Sequence, residues 1–170
     1  IKLIAGINDD DTLADGVPDT KEGRYEKMDE EVQIMKALWA SDGPIDHQGK
    51  HYKITALMAP KPLQAPHPPF FLGGGSEQAL EISAKHSTVH LFWGDRPAGI
   101  AEKIKDIRAR AAKYGRGEQI QFGMRLQVVC RETEDEAWEA AERLTAGATR
   151  YQLGNMQGGQ APAEGLRRTS

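Results

Sequence analysis

The segment from Pro68 to Glu77, with the sequence PPFFLGGGSE, places a short apolar run directly before a glycine cluster and a polar helix start. Residues 70–72 have the apolar, extended pattern of a buried strand, and the glycines that follow allow close backbone approach. Ser76 stands where its hydroxyl can cap a helix that begins near residue 77. The segment therefore predicts a strand, a glycine turn and a helix, in that order.

This turn is a candidate anion site. A helix N-terminus presents unpaired backbone N–H groups and a partial positive charge, so the backbone and the Ser76 hydroxyl together could hold a phosphate. A tight turn with a purely structural cap is an equally good interpretation, because a single glycine cluster is a weak motif. Both interpretations stay open from this segment alone.

The composition is that of a soluble α/β protein, with 28% charged and 39% hydrophobic residues and a formal net charge of −3. The basic residues are scattered or paired along helices, which argues against nucleic-acid binding. The five histidines have no carboxylate or cysteine at ligand spacing, so no metal site is predicted. The single cysteine, Cys130, excludes an internal disulfide.

No membrane partner is expected, because no apolar run approaches the roughly 20 residues that a spanning helix needs. No signal-peptide pattern opens the chain, so a cytoplasmic location is the default expectation. The chain starts at Ile1 without an initiator methionine, as though already inside a strand. This start suggests a piece of a longer protein.

Strand-like and helix-like segments alternate with short connections, which favours βαβ units and a parallel sheet. The strands of these units are predicted at residues 2–5, 70–72, 88–93 and 119–130, and the helices at 25–40, 77–86, 98–114 and 134–146. A small excursion at residues 45–55 turns at Gln48 and Gly49. We expect residues 1–146 to form the domain and the glycine-rich residues 147–170 to form a mobile tail or a truncated insertion loop.

Four consecutive strand–helix units without a dinucleotide-binding glycine fingerprint favour part of a (β/α)8 TIM barrel. A complete barrel takes roughly 250 residues, so this chain holds about half of one. An open half-barrel exposes sheet edges and an apolar interior. We therefore expect the chain to form a homo-oligomer.

Several segments together carry a family resemblance: GRYE at residues 23–26, FFLGGGS at 70–76, LFWGD at 91–95, FGMRLQVVCRET at 122–133 and DEAW at 135–138. In this order and spacing they resemble the bacterial luciferase-like flavin monooxygenases. Within that family, the two-component FMNH2-dependent alkanesulfonate monooxygenases are the most similar subgroup. The resemblance covers about residues 1–145 and implies a partial TIM barrel, about strands four to seven with their helices.

The resemblance implies an enzyme that binds reduced FMN, supplied by a separate NAD(P)H-dependent flavin reductase, and uses O2 to oxygenate a small organic substrate. In the sulfonate subgroup, an alkanesulfonate is desulfonated to an aldehyde and sulfite. The flavin carries the chemistry, while the protein supplies positioning, a dry cavity and electrostatic stabilisation. Two alternatives stay open: a catalytically inactive truncated barrel that acts as a flavin- or phosphate-binding or self-associating scaffold, and a deazaflavin-dependent oxidoreductase on the same fold.

The resemblance also assigns the cofactor-binding residues. Gly75 and Ser76 match the loop that contacts the FMN phosphate in relatives, and Tyr25 matches a tyrosine whose hydroxyl lies near that phosphate. Lys21 occupies the histidine position of a His-x-x-Arg-Tyr motif, so a cation would replace a neutral donor. A merely exposed lysine ahead of a helix is an equally good interpretation of Lys21.

The catalytic candidates are Arg125, Trp93 and Gln127. Trp93 matches a tryptophan at the pocket mouth, although alone it would more often be a core aromatic residue. Arg125 matches an arginine of the sulfonate pocket, and we expect it to be buried and to point into the barrel together with Gln127; pairing with a carboxylate is the alternative. Gln127 stands where relatives often have histidine, and glutamine cannot exchange a proton near neutral pH.

Overall fold

The structure is a computed structural model that describes the backbone of residues 1–6, 13, 16, 19–94, 96–126 and 128–155, and the side chains of these residues up to 146. The strands are β1 (Lys2–Leu3), β2 (Ile45–Gln48), β3 (Lys53–Ala56), β4 (Phe71–Gly73), β5 (Val89–Trp93) and β6 (Gln121–Arg125). The helices are α1 (Lys21–Ala40), α2 (Glu77–His86), α3 (Pro97–Ala112) and α4 (Glu134–Asn155).

The main sheet has four parallel strands in the order β1, β4, β5, β6. A helix follows each of these strands along the chain, which confirms the prediction of an α/β fold built from successive strand–helix units. Parallel neighbours of this kind place all their carboxyl ends at one edge of the sheet. This edge carries the candidate site described below.

One face of the sheet packs against the helices. Strand residues alternate between faces, and Leu72, His90 and Phe92 point to the buried one. A first core cluster joins β1 and β4 to the helices α1 and α2 through Leu3, Met28, Val32, Phe70, Leu72, Ala79 and Ile82. A second cluster joins the other two strands to α2 and α3 through Ala84, Phe92, Ile100, Ile107, Ala111 and Ile120. The helix layer therefore fixes the strands from one side.

The opposite face, which we call the inner face, carries Phe71, Val89, Leu91, Trp93 and Arg125 by the same alternation. Trp93 exposes 63% of its surface at the end of this face. Large exposed apolar surface on a soluble protein marks a contact with another surface. An exposed inner face of this kind is what the prediction of a partial barrel expects.

We expect the isolated chain to self-associate at micromolar concentration, because association would remove the inner face from water. Trp93→Glu should then weaken self-association by about tenfold or more, because the new carboxylate would lose its hydrating water when the inner face is covered. Leu63→Glu is the matched control, because Leu63 is 99% exposed in the proline-rich segment. Sedimentation velocity measures the effect, and a wild-type chain that stays a single cooperative monomer would contradict the expectation.

Three element boundaries differ from the prediction by four residues or more. The last strand of the sheet covers Gln121–Arg125 and not residues 119–130, because its neighbour β5 ends at Trp93 and offers no further backbone groups for pairing. Helix α1 begins at Lys21 and not at residue 25, because the Thr20 side chain accepts a hydrogen bond from the N–H of Gly23. Helix α4 continues to Asn155, nine residues beyond its predicted end at residue 146. Residues 156–170 lie outside the described part.

The predicted excursion is an antiparallel hairpin of β2 and β3. Glu30 of α1 holds its turn, since the carboxylate accepts hydrogen bonds from the backbone N–H groups of Lys50, His51 and Tyr52. These bonds lower the pKa of Glu30 although desolvation opposes them. The hairpin is thereby fixed to the helix that carries Lys21 and Tyr25.

Among the described residues, no helix is long and apolar enough to cross a bilayer.

Candidate functional site

Ser76 caps α2 as the sequence predicts. Its backbone is extended, with φ −78° and ψ 155°, and its Oγ accepts a hydrogen bond from the N–H of Ala79 at 3.3 Å. The helix starts at Glu77, directly after β4 and the glycine turn. The first-turn N–H groups of Glu77 and Gln78 have no partner within the helix. They are the donors that an anion at this turn would use.

The glycine turn leaves room for a ligand. Gly74 has φ +144°, and a Cβ there would lie 2.9 Å from the Cβ of Ala79 and 3.8 Å from the hydroxyl of Tyr25. A Cβ on Gly75 would meet no atom within 4 Å. Gly74 is therefore required for the close approach of strand, helix and Tyr25, whereas Gly75 borders open space. The structure brings Tyr25, Gly75 and Ser76 together at one turn.

The first turns of α1 and α2 meet beside this turn. The side-chain amide of Gln78 donates a hydrogen bond to Glu22 Oε1 at 3.0 Å, and it joins the two helix ends. Lys21 is exposed at the first position of α1. Two helix N-termini and Lys21 favour an anion here, while the carboxylates of Glu22 and Glu77 oppose it.

Sequence reasoning did not identify the residues that position Tyr25. Thr20 caps α1, and Arg24 donates from Nε to the carbonyl of Ala5 at 2.7 Å and from Nη1 to the carbonyl of Asp19 at 3.1 Å. These bonds tie the start of α1 to the residues that follow β1. A threonine directly before a helical run was the available signal for the cap. The contacts of Arg24 carry no such signal, because both acceptors are backbone carbonyls.

Trp93 and Arg125 are register partners at the ends of β5 and β6. The guanidinium carbon of Arg125 lies 5.0 Å from the centroid of the Trp93 ring, which is cation–π geometry. Ser76 follows the neighbouring strand β4, so all three residues lie at the carboxyl edge of the parallel sheet, as expected from the topology. The alternation places Arg125 on the inner face, opposite the face on which Phe92 and Phe122 stack.

The expectation that Arg125 is buried is wrong. Arg125 is exposed, and its strand neighbours Met124 and Leu126 expose 39% and 63% of their surfaces. Arg125 pairs with β5 on one side, but β6 is the edge strand of the described sheet, so no described strand covers its other side. No carboxylate of the described residues forms an ion pair with Arg125, whose guanidinium lies over the ring of Trp93. Gln127, the third catalytic candidate, lies outside the described residues.

The buried histidines were not recognised as a group from the sequence. His90 is fully buried on the helix-facing side, where its Nδ1 lies 2.8 Å from Ser83 Oγ. Desolvation lowers the pKa of His90 to about 4, so the ring is neutral at pH 7. It points away from the candidate site and packs on Phe92. Within the described ranges, no group of three or more histidine, cysteine or acidic side chains is arranged to hold a metal ion.

A family model described as "Luciferase-like monooxygenase" matches residues 1–168. Among solved structures, riboflavin lyase with modified FMN and its substrate riboflavin has a TM-score of 0.70 and 22% identity, over 78% of this chain and 35% of that chain. EDTA monooxygenase from Chelativorans sp. BNC1 has a TM-score of 0.68 and 23% identity, over 94% of this chain and 41% of its own.

An F420-dependent secondary alcohol dehydrogenase in complex with an F420-acetone adduct has a TM-score of 0.63 and 19% identity, over 90% of this chain and 46% of that chain. Identities this low show a common fold. The chain spans less than half the length of each of these structures. The fold they share with it confirms the prediction of a partial TIM barrel.

Proposed function

Because this chain belongs to the luciferase-like monooxygenase family, we propose that it forms the part of a flavin-dependent monooxygenase that holds the phosphate of reduced FMN. A separate NAD(P)H-dependent reductase supplies the flavin, and the substrate is a small alkanesulfonate that O2 converts to an aldehyde and sulfite. One observation carries the proposal: the capped glycine turn at Ser76 and the Trp93–Arg125 pair lie at the same edge of the parallel sheet.

The residues at the turn fit a phosphate. Its oxygens can accept from the N–H groups of Glu77 and Gln78 and from the hydroxyl of Tyr25. Ser76 uses an oxygen lone pair in the cap, so its O–H is left to donate to the ligand. Lys21 offsets the negative charge of the first helical turns. FMN, when bound, supplies the redox and oxygen chemistry.

Arg125 suits the sulfonate end of the substrate. Its guanidinium carries a positive charge and presents parallel N–H groups that match an oxyanion. The ring of Trp93 lies against the guanidinium, which limits its orientations to the inner face. We propose that Arg125 binds the sulfonate, while Trp93 orients Arg125 and excludes water.

A deazaflavin-dependent oxidoreductase is the second candidate, because an F420-dependent alcohol dehydrogenase shares the fold. A catalytically inactive scaffold that binds flavin or phosphate is the third, because the Ser76 turn fits a phosphate without the Trp93–Arg125 pair. The test is to add the purified chain to FMN, NADH, a flavin reductase and a small alkanesulfonate, with catalase present, and to measure sulfite against a reaction without the chain. Sulfite release supports the proposal. FMN binding without sulfite favours the scaffold, and F420 binding without FMN binding favours the oxidoreductase.

Ser76→Ala is expected to weaken FMN binding by about 1 kcal/mol, roughly fivefold in Kd, because the hydrogen bond from the neutral Ser76 hydroxyl to the phosphate is lost. Flavin fluorescence quenching measures the Kd. Riboflavin lacks the phosphate, so its Kd should not change. Glu22→Gln is the opposite control: it removes a negative charge beside the turn and should tighten FMN binding. An unchanged Kd for FMN in Ser76→Ala would make the turn purely structural.

A further inference from the structure

Lys36 lies at the end of the sheet opposite the candidate site. Its Nζ is 5.7 Å from the ring centroid of Phe70, which precedes β4, and 3.2 Å from Nδ1 of His86 at the last turn of α2. On the other side of the imidazole, Nε2 of His86 lies 2.5 Å from Oδ1 of Asp29. The three side chains form a continuous carboxylate–imidazole–amine chain between α1 and α2.

The hydrogen-bond chemistry fixes the direction of this chain. An ionised carboxylate only accepts, so the hydrogen of His86 is on Nε2 and faces Asp29. Nδ1 then holds a lone pair, which accepts a hydrogen bond from the Lys36 amine. A carboxylate that orients an imidazole, which in turn contacts a nucleophile, is the arrangement that activates weak nucleophiles.

The surroundings of Lys36 disfavour its ammonium form. The pKa of Lys36 is lowered, and burial is the largest cause. The positive charges of Arg116 and Lys85 lower it further, whereas the carboxylate of Asp29 raises it. Lys85 is itself paired with Oδ2 of Asp29 at 2.6 Å. Desolvation lowers the pKa of His86 to about 4, so this imidazole stays neutral at pH 7 and keeps its accepting lone pair.

Arg116 is held close to this site by the end of α2. Its guanidinium donates to the carbonyl of Ala84 at 2.9 Å and to the carbonyl of Ser87 at 2.7 Å. These bonds cap the helix carbonyls, so the positive charge near Lys36 is fixed by backbone contacts. Lys36 itself is only half-buried, so part of its side chain meets solvent.

We propose that Lys36 is a nucleophilic modification site that takes small activated acyl compounds such as esters and acyl phosphates. The amine nitrogen attacks the acyl carbon, an N–C bond forms, and the acyl C–O bond breaks with its electron pair leaving on the departing oxygen. The amine proton passes to Nδ1 of His86 and from there to solvent. The product is a stable amide, so the site is modified once.

The test is acetylation of the full chain by 4-nitrophenyl acetate at pH 7, with each lysine quantified by peptide mass spectrometry over time. Lys36 should react about fivefold faster than the exposed Lys53, because desolvation and neighbouring cations raise its neutral fraction. Its rate should also level off at a lower pH in the folded chain than in the unfolded chain. In urea above the unfolding transition the two rates should become equal. A folded chain in which Lys36 reacts no faster than Lys53 would overturn the proposal.

The positioning role of His86 is tested by two variants whose folding is checked by circular dichroism. His86→Asn keeps an acceptor near the position of Nδ1 and should retain most of the selectivity for Lys36, whereas His86→Leu should lose it. Selectivity that survives in both variants, or that both lose equally while remaining folded, would overturn the role of His86. The candidate site lies at the other end of the sheet, so failure here leaves the proposed function untouched.

Discussion

Replacing Arg125 with alanine is expected to lower kcat/KM for the proposed alkanesulfonate oxygenation by about 100-fold, the usual loss when one aimed donor to a reacting anion is removed. The guanidinium lies at the open carboxyl edge of the sheet over the Trp93 ring, and the described residues show no carboxylate pairing with it. Its charge and its paired N–H groups are therefore free to bind the sulfonate. Sulfite release in the reductase-coupled assay measures the effect.

Two variants control for this prediction. Arg125→Lys keeps the charge but loses the planar fork, so its kcat/KM should fall between those of the wild type and Arg125→Ala. Arg131→Ala removes another exposed arginine, whose Nη1 donates to the carbonyl of Cys130, and should leave kcat/KM unchanged. If Arg125→Ala is as active as the wild type, Arg125 has no anion-binding role and the sulfonate proposal loses its main support.

The sequence predicted features that depend on contacts within a few residues. Helix α2 has the predicted bounds, because the Ser76 side chain closes its first turn on Ala79, three residues away. The same locality made the hairpin at residues 45–55 recognisable, although its turn covers residues 49–52 and not Gln48–Gly49. The strand–helix alternation then led to the parallel sheet, since such units connect in one hand only.

Features that depend on distant residues were not predictable. The strand at Gln121–Arg125 stops early because β5 ends at Trp93, a fact that no local pattern carries. The exposure of Arg125 follows from the edge position of β6 in the described sheet, which depends on the strand order. His86 and Asp29 are 57 positions apart, so the imidazole looked isolated in the sequence although it is buried between a carboxylate and a lysine. Burial and pairing of polar groups were therefore visible only once the helices were packed.

Phe70→Ala is expected to reduce the free energy of unfolding by about 3–5 kcal/mol, the usual cost of removing a buried aromatic ring. Phe70 is fully buried in the first core cluster. Its ring stacks on Trp39 with centroids 5.6 Å apart and lies 5.2 Å from the His67 ring. The cavity would open beneath β4, the strand that leads to the Ser76 turn. Urea unfolding followed by circular dichroism measures the change.

Phe71→Ala is the matched control, because it deletes the same ring one residue later. Phe71 is half-buried and points to the inner face, so its removal should cost less than half as much as the removal of Phe70. Both variants should be unfolded at several protein concentrations, since self-association through the inner face would add to the apparent stability of the wild type. A larger loss for Phe71→Ala that persists at the lowest concentration would mean that the two faces of β4 are assigned the wrong way round. Arg125 and Trp93 would then point toward the helices, where no substrate could reach them.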